Sequence, residues 1–290
     1  MRNKQSQAPV KYRIRWTPSI IVLLIVLCVC AFLSIYPFFL MFSGAFKTTQ
    51  EIAVNASGFP RNPTLNNFPR LWNYNSGTIT RTFFNSVFVS TVYTVIALIL
   101  ASLAAFAFAK FTFKGKNLLF TFLLATMMVP MEVNMTPLFI MFSKIHWLNS
   151  YQVQILPGIA NVMSMYMLKQ YIEGLPDSVL ESSMIDGAKS FTTYRQIVMP
   201  MVAPALATLT IINFLGKWND YLMPRTMITK YEYMPIMVIL PTLNDTGGVF
   251  AISWELIMAG CTIVTVPLLI VYLIFQDKFM ASVIMGAVKE

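Results

Sequence analysis

Apolar residues in this chain fall into long, nearly unbroken runs, and the polar stretches between them collect Lys, Arg, Pro, Gly and Asn. A helix needs about 20 mainly apolar residues to cross the roughly 30 Å hydrocarbon layer of a bilayer. Six runs fit that demand: Ser19 to Phe46, Phe83 to Ala109, Asn117 to Ser143, Gln154 to Tyr171, Met201 to Leu222 and Glu255 to Phe275. The pattern predicts an all-α integral membrane protein with six transmembrane helices. The first run is too long for a signal peptide and has no small-residue cleavage site, so it is expected to be retained as a span. The chain then divides into a cytoplasmic segment (1–18), a six-span unit (19–276) and a cytoplasmic tail (277–290).

Composition agrees, with 57% hydrophobic and 11% charged residues where soluble domains carry about 25% charged. The formal net charge is +9, but the basic residues sit at the ends of runs. That placement suits anionic membrane lipid and not nucleic acid. With the N-terminus inside, Arg2, Lys4, Lys11, Arg13, Arg15, Lys110, Lys114, Lys116, Lys169, Lys189, Arg195, Lys278 and Lys289 are cytoplasmic. The opposite side then holds only Lys47, Arg61, Arg70, Arg81, Lys144, Arg225 and Lys230. This bias predicts a multi-pass protein of a prokaryotic cell membrane with both termini in the cytoplasm.

That orientation places "ESSMIDGAKSFTTYRQIVMP", Glu181 to Pro200, at the inner surface between spans four and five, within a loop of about 174–200. Its residues predict two short helices and a hinge. Ser178 and Glu181 form an S-x-x-E capping box, and Leu180, Met184 and Ala188 make an apolar stripe. Gly187 can take the left-handed conformation that ends a helix. Ser190 can cap the next helix, whose apolar side is Phe191, Tyr194, Ile197 and Val198. Pro200 opens span five, where a missing N–H matters least. Such a knob either docks on a partner or lies on the bilayer; Glu173, Asp177, Glu181 and Asp186, which would face anionic headgroups, count against the second.

The knob resembles the cytoplasmic "EAA" signature of ABC importer permeases. Glu181, Asp186, Gly187, Ala188, Ile197 and Pro200 stand in its register, with Ser182 and Ser183 at the two alanines and Met199 at the leucine. "SGAFKTTQEI", "RTFFNSVFVS", "AFAFAKFTFKGKN", "ILPGIANVMSMYMLKQYIEGLPDSVLE", "KWNDYLMP" and "GAVKE" extend the likeness to the second, six-span permease of carbohydrate importers of the maltose-transporter type. The resemblance implies a second homologous permease that completes the path, two ATPase subunits that bind ATP and Mg, and an extracytoplasmic solute-binding protein. It implies that Glu181, Ser182, Ser183, Asp186, Gly187, Ala188, Ile197 and Pro200 couple this chain to the ATPase. The function implied is import of a sugar or oligosaccharide, with no cofactor on this chain.

No catalytic constellation accompanies it. A Walker A loop needs glycine five residues before Gly-Lys, but Gly115-Lys116 has Lys110 there and Gly216-Lys217 has Ile211. His146 is the only histidine, Cys28, Cys30 and Cys261 lie in apolar runs without a CxxC, and the methionines are scattered. No metal site or disulfide framework is expected. Polar residues inside spans are costly and face a cavity or a partner helix. Glu132 and Asn134, between Pro130 and Pro137, predict an irregular, water-accessible stretch, lining the path or bonding to freed backbone. Asn161, Ser164, Trp218, Asn219 and Asp220 offer the amide, carboxylate and aromatic groups that bind sugars. Trp and Tyr also belong at membrane interfaces, and Lys217 can simply pair with Asp220. Two other readings stay open: import of a non-sugar solute, and an ion-coupled secondary transporter in which Glu132 is the one midplane carboxylate.

Overall fold

The computed structural model describes residues 17–74, 77–243 and 253–287, and all regular structure among them is helical. The basic residues Arg2 to Arg15, together with Lys289 and the side chains of Lys278 and Met184, lie outside what is described.

Helix α1 (Pro18–Ala45) starts on a proline in its first turn and continues through Pro37. An outer segment follows, with α2 (Thr49–Val54), capped by the Thr48 hydroxyl accepting from the Glu51 N–H, and α3 (Asn67–Trp72). Helix α4 (Thr78–Lys110) is the central element. Its buried face repeats every four residues as Thr82, Ser86, Ser90 and Thr94, and continues through Ala97, Ala101 and Ala105. Small side chains at that spacing form one face of a helix and let neighbouring backbones approach closely in lipid. The helices most extensively packed against it are two that follow.

Next come α5 (Lys116–Thr126) and α6 (Met135–Lys144), separated by an 87° bend and a single 3₁₀ turn, Met131–Asn134. Pro130 begins that turn and Pro137 follows it, so the irregular stretch lies where the two prolines predict it. Then follow α7 (Gln152–Ile155), α8 (Val162–Glu173), α9 (Asp177–Ile185), α10 (Ser190–Thr193), a π turn (Tyr194–Val198), α11 (Met199–Met201) and α12 (Ala203–Trp218). The chain closes with α13 (Leu222–Met227), α14 (Ile236–Ile239) and the long α15 (Trp254–Ala287). Helices α8 and α12 are the two packed on α4, and α15 packs on both α12 and α1.

Among the described residues, three helices are long and apolar enough to cross a membrane: Pro18–Ala45, Thr78–Lys110 and Trp254–Asp277. Two bent pairs, Lys116–Thr126 with Met131–Lys144 and Ser190–Met201 with Ala203–Met227, raise the number to five if each is one span. The predicted fourth run, Gln154 to Tyr171, is not one helix. It breaks at Pro157 and Gly158, where Gly158 takes φ +76° and its carbonyl accepts the Tyr93 hydroxyl at 2.9 Å. At 1.5 Å per residue α8 is only about 18 Å long.

Among the described residues, buried side chains form two clusters. One surrounds Trp218, Leu71, Ile79, Val153 and Ile236; the other joins Phe106, Leu168, Ile172, Leu180, Tyr194, Val198 and Leu209. The second cluster seats the loop between α8 and α12 on the rest of the molecule.

Candidate functional site

The polar island forms a helix–glycine–helix knob. Gly187 has φ +81°, and a Cβ built there meets nothing within 4 Å. The Ala188 N–H donates to the Ser183 carbonyl at 3.0 Å. That six-to-one bond across a left-handed glycine is the Schellman ending of a helix. Two predicted caps are corrected. Helix α9 begins at Asp177, which puts Ser178 inside its first turn and not at the cap, and Asp177 binds Lys110 Nζ at 2.8 Å. Helix α10 begins at Ser190 with Lys189 as its N-cap and no side-chain cap bond.

Below the hinge the knob is pinned from several sides. Ser183 and Thr193 hydroxyls meet at 3.1 Å, joining α9 to α10, while Ser183 Oγ also donates to the Leu180 carbonyl. Tyr194 OH lies 2.8 Å from Ser102 Oγ on α4, and its ring packs on Phe106. Leu180 and Val198 are buried; Ala188 and Ile197 are half-buried. Above the hinge, Ile185 is 85% exposed and Phe191 65% exposed. Glu181, Ser182, Asp186, Gly187, Lys189 and Pro200 are exposed too. The apex is therefore apolar with a polar rim. Ile185 was not among the residues the sequence singled out, because it is off the i, i+4 stripe of the buried face; that offset is itself the signal for an outward side chain.

A second polar assembly lies between α4, α8 and α12. Asn161 caps α8, its Oδ1 accepting the Ser164 N–H at 2.8 Å. Its Nδ2 donates to Asn213 Oδ1 at 3.0 Å, and Asn213 Nδ2 donates to Ser164 Oγ at 2.9 Å and to the Leu209 carbonyl at 2.8 Å. Asn161 and Ser164 are thus brought together by Asn213, an amide in an apolar run that sequence reasoning passed over. One turn further along α12, Lys217 pairs with Asp220 at 2.8 Å and lies over the Tyr93 ring, 5.2 Å from its centroid. Asp220 also accepts the Met223 N–H. Trp218 is 1% exposed and enclosed between Phe214, stacked at 5.7 Å, and Phe83, edge-on at 5.9 Å. Its ring presents no free face in this conformation, whereas Asn219 is exposed.

Asn134 lines a cavity of about 310 Å³ with Met131, Pro137, Leu138, Met141, Pro157 and Gly158, where the bend before α6 faces the break before α8. Glu132 is exposed on the same turn and does not line the cavity. No group of three or more His, Cys, Asp or Glu residues that could hold a metal occurs among the described residues.

Comparison with known proteins places this geometry. Over 262 residues the chain is 30% identical to the arabinooligosaccharides transport system permease protein AraQ of Halalkalibacterium halodurans, covering 89% of this chain and 92% of that one. It is 31% identical to the multiple sugar-binding transport system permease protein MsmG of Streptococcus mutans over 91% of this chain and 95% of that one. The fold matches the crystal structure of a bacterial ABC transporter involved in the import of the acidic polysaccharide alginate, with a TM-score of 0.80 and 21% identity over 92% of this chain and all of the other. Residues 97–284 match the family described as binding-protein-dependent transport system inner membrane component. The chain belongs to that family and is a permease subunit of an ABC importer.

Proposed function

We propose that this permease spans the membrane six times and forms half of the translocation path for a sugar or oligosaccharide, a second homologous permease forming the other half. In this reading α7 and α8, with the break between them, make the fourth span, and both termini are cytoplasmic. The observation that carries the reading is the Ile185–Gly187–Phe191 apex, exposed yet seated on a buried core. Apolar side chains this exposed on a polar-rimmed knob mark a protein contact. The occupant is one of two ATPase subunits, which hold ATP and Mg; Glu181, Ser182, Asp186 and Lys189 lie at the rim of the contact. Ser183, Ala188, Ile197 and Pro200 shape the knob instead of touching the partner.

ATP binding draws the paired knobs together and switches the path between two states. Sugar import is supported by the relatives that share about nine-tenths of the chain. The solute arrives on an extracytoplasmic binding protein. Glu132, Asn134, Asn161, Ser164, Asn219 and Asp220 are the groups we assign to the path or its immediate walls, with Trp218 behind them as packing. The test is uptake into proteoliposomes holding this chain and the subunits that co-purify with it. A panel of labelled arabino-, malto- and chitooligosaccharides and lactose should include one that accumulates only with ATP and binding protein together. Uptake driven by an ion gradient without ATP would overturn the assignment.

A further inference from the structure

The knob and the polar assembly lie at opposite ends of α8 and α12; directional bonds hold the knob together and tie it to α4, and at the other end they join α8 to α12 directly. At the knob, Ser183 meets Thr193 and Tyr194 meets Ser102. At the other end, Asn213 holds both Asn161 and Ser164 of α8 while bonding back to Leu209 of its own helix. Between them Met165, Leu168, Ile172, Val198, Val202 and Leu209 form one continuous buried cluster. Apolar contacts are non-directional and by themselves let packed helices slide, as in shear motions. Hydrogen bonds of fixed geometry set a register.

Asn213 is only 5% exposed, and its side chain fills both amide donor positions and its carbonyl oxygen with α8 or its own helix. An amide with all three groups engaged at a buried position is held firmly, because every bond broken leaves a buried polar group unsatisfied. Losing Asn213 would remove both side-chain bonds between α12 and the start of α8, to Asn161 and to Ser164. One turn beyond it along α12 lies Lys217, over the Tyr93 ring and paired with Asp220 just past the helix end.

We propose that Asn213 is a positioning residue that locks α8 and α12 into a single arm, so that a displacement of the knob reaches the Lys217–Asp220 end undiminished. This rests on the reading of the knob as the ATPase contact. The arm turns as a unit with the knob; without the lock, α12 slips along α8 and the stroke is absorbed before it reaches the path.

The test pairs spectroscopy with transport in the assembled complex. Spin labels at Met167→Cys on α8 and Ile212→Cys on α12, both outward-facing and exposed, report the distance within the arm with and without ATP and vanadate. The expected result is one unchanged distance for the otherwise native chain. A shift reaching about 1–2 Å, the scale of interhelical displacements in switching transitions, shows that the helices move separately and overturns the proposal. In Asn213→Leu the same distance should change with nucleotide, and solute moved per ATP should fall about tenfold, within the usual range of coupling between sites. ATPase attachment and basal hydrolysis should persist. Native coupling in Asn213→Leu would also overturn the proposal. If that variant does not assemble, the distance in the native background still decides. Absence of ATP-dependent uptake by the unmodified complex would instead remove the reading of the knob, and this inference with it.

Discussion

The Glu51 carboxylate receives the backbone N–H of Arg61 at 2.5 Å, that of Asn62 at 3.5 Å and the Asn55 amide at 3.4 Å. These bonds, the Arg61 N–H first, hold its pKa below the ordinary carboxylate range. Beside it Lys47 is fully buried, its ammonium donating to the carbonyls of Asn55, Ala56 and Gly58. A carboxylate whose pKa is depressed on folding stabilises the fold above its ordinary pKa and loses that effect as pH falls through the folded value. The segment 51–62 should therefore stay ordered from neutral pH down to about pH 4 and loosen below it. Fluorescence anisotropy of a label at Leu65→Cys should drop in that acid range, and Glu51→Gln should lack the transition because it has no charge to lose. An identical acid drop in Glu51→Gln would assign the change elsewhere. At this scale the sequence is uneven in what it discloses. Gly187 is legible because few settings besides a helix ending favour glycine between Asp and Ala in that pattern. Asn213 is not, since an amide in an apolar run says only that some partner exists, and the partner is about 50 residues away in the chain.

Among elements, the long apolar runs read directly as α1, α4 and α15, because a helix in lipid must satisfy its own backbone and little else competes. The segments that failed to read were those in which tertiary bonds set the geometry. Gln154 to Tyr171 looks like one span by hydropathy, yet the pyrrolidine of Pro157 removes a donor and Gly158 accepts a left-handed turn, with Tyr93 bonding to the freed carbonyl. Helix α9 starts two residues earlier than its S-x-x-E pattern indicates, with Asp177 in its first turn bonded to Lys110 at the end of α4. That exposed pair contributes little on its own, but it adds to the buried Leu180 and Tyr194 in fixing where the loop leaves the bundle. The irregular turn at Met131–Asn134 was legible from its prolines; the cavity it shares with the α8 break was not, because two distant irregularities must face each other to form it.

For the whole molecule, the proposed orientation follows from Lys and Arg placement and can be read from outside the cell. In a background with Cys28, Cys30 and Cys261 replaced, Asn62→Cys should react with an impermeant thiol reagent added to intact cells, while Lys189→Cys should react only after the membrane is opened. The reverse result would invert the topology and remove the knob from the ATPase. The central claim is that the knob transmits force, and it depends on the backbone at Gly187. Because φ is +81° with open space around the missing Cβ, a substitution there is penalised by conformation and not by a clash. A β-branched residue costs roughly 1–2 kcal/mol or more in this region, enough to unwind the end of α9 and move Ile185 away from its place at the apex. Gly187→Asn, whose short polar side chain tolerates the left-handed region, should retain most activity. The most direct measurement is ATP-driven uptake by Gly187→Val at native expression in reconstituted vesicles, read together with ATPase co-purification. The account predicts an inserted permease with weakened ATPase attachment and uptake lost; full uptake by Gly187→Val would show that the loop is a passive connector.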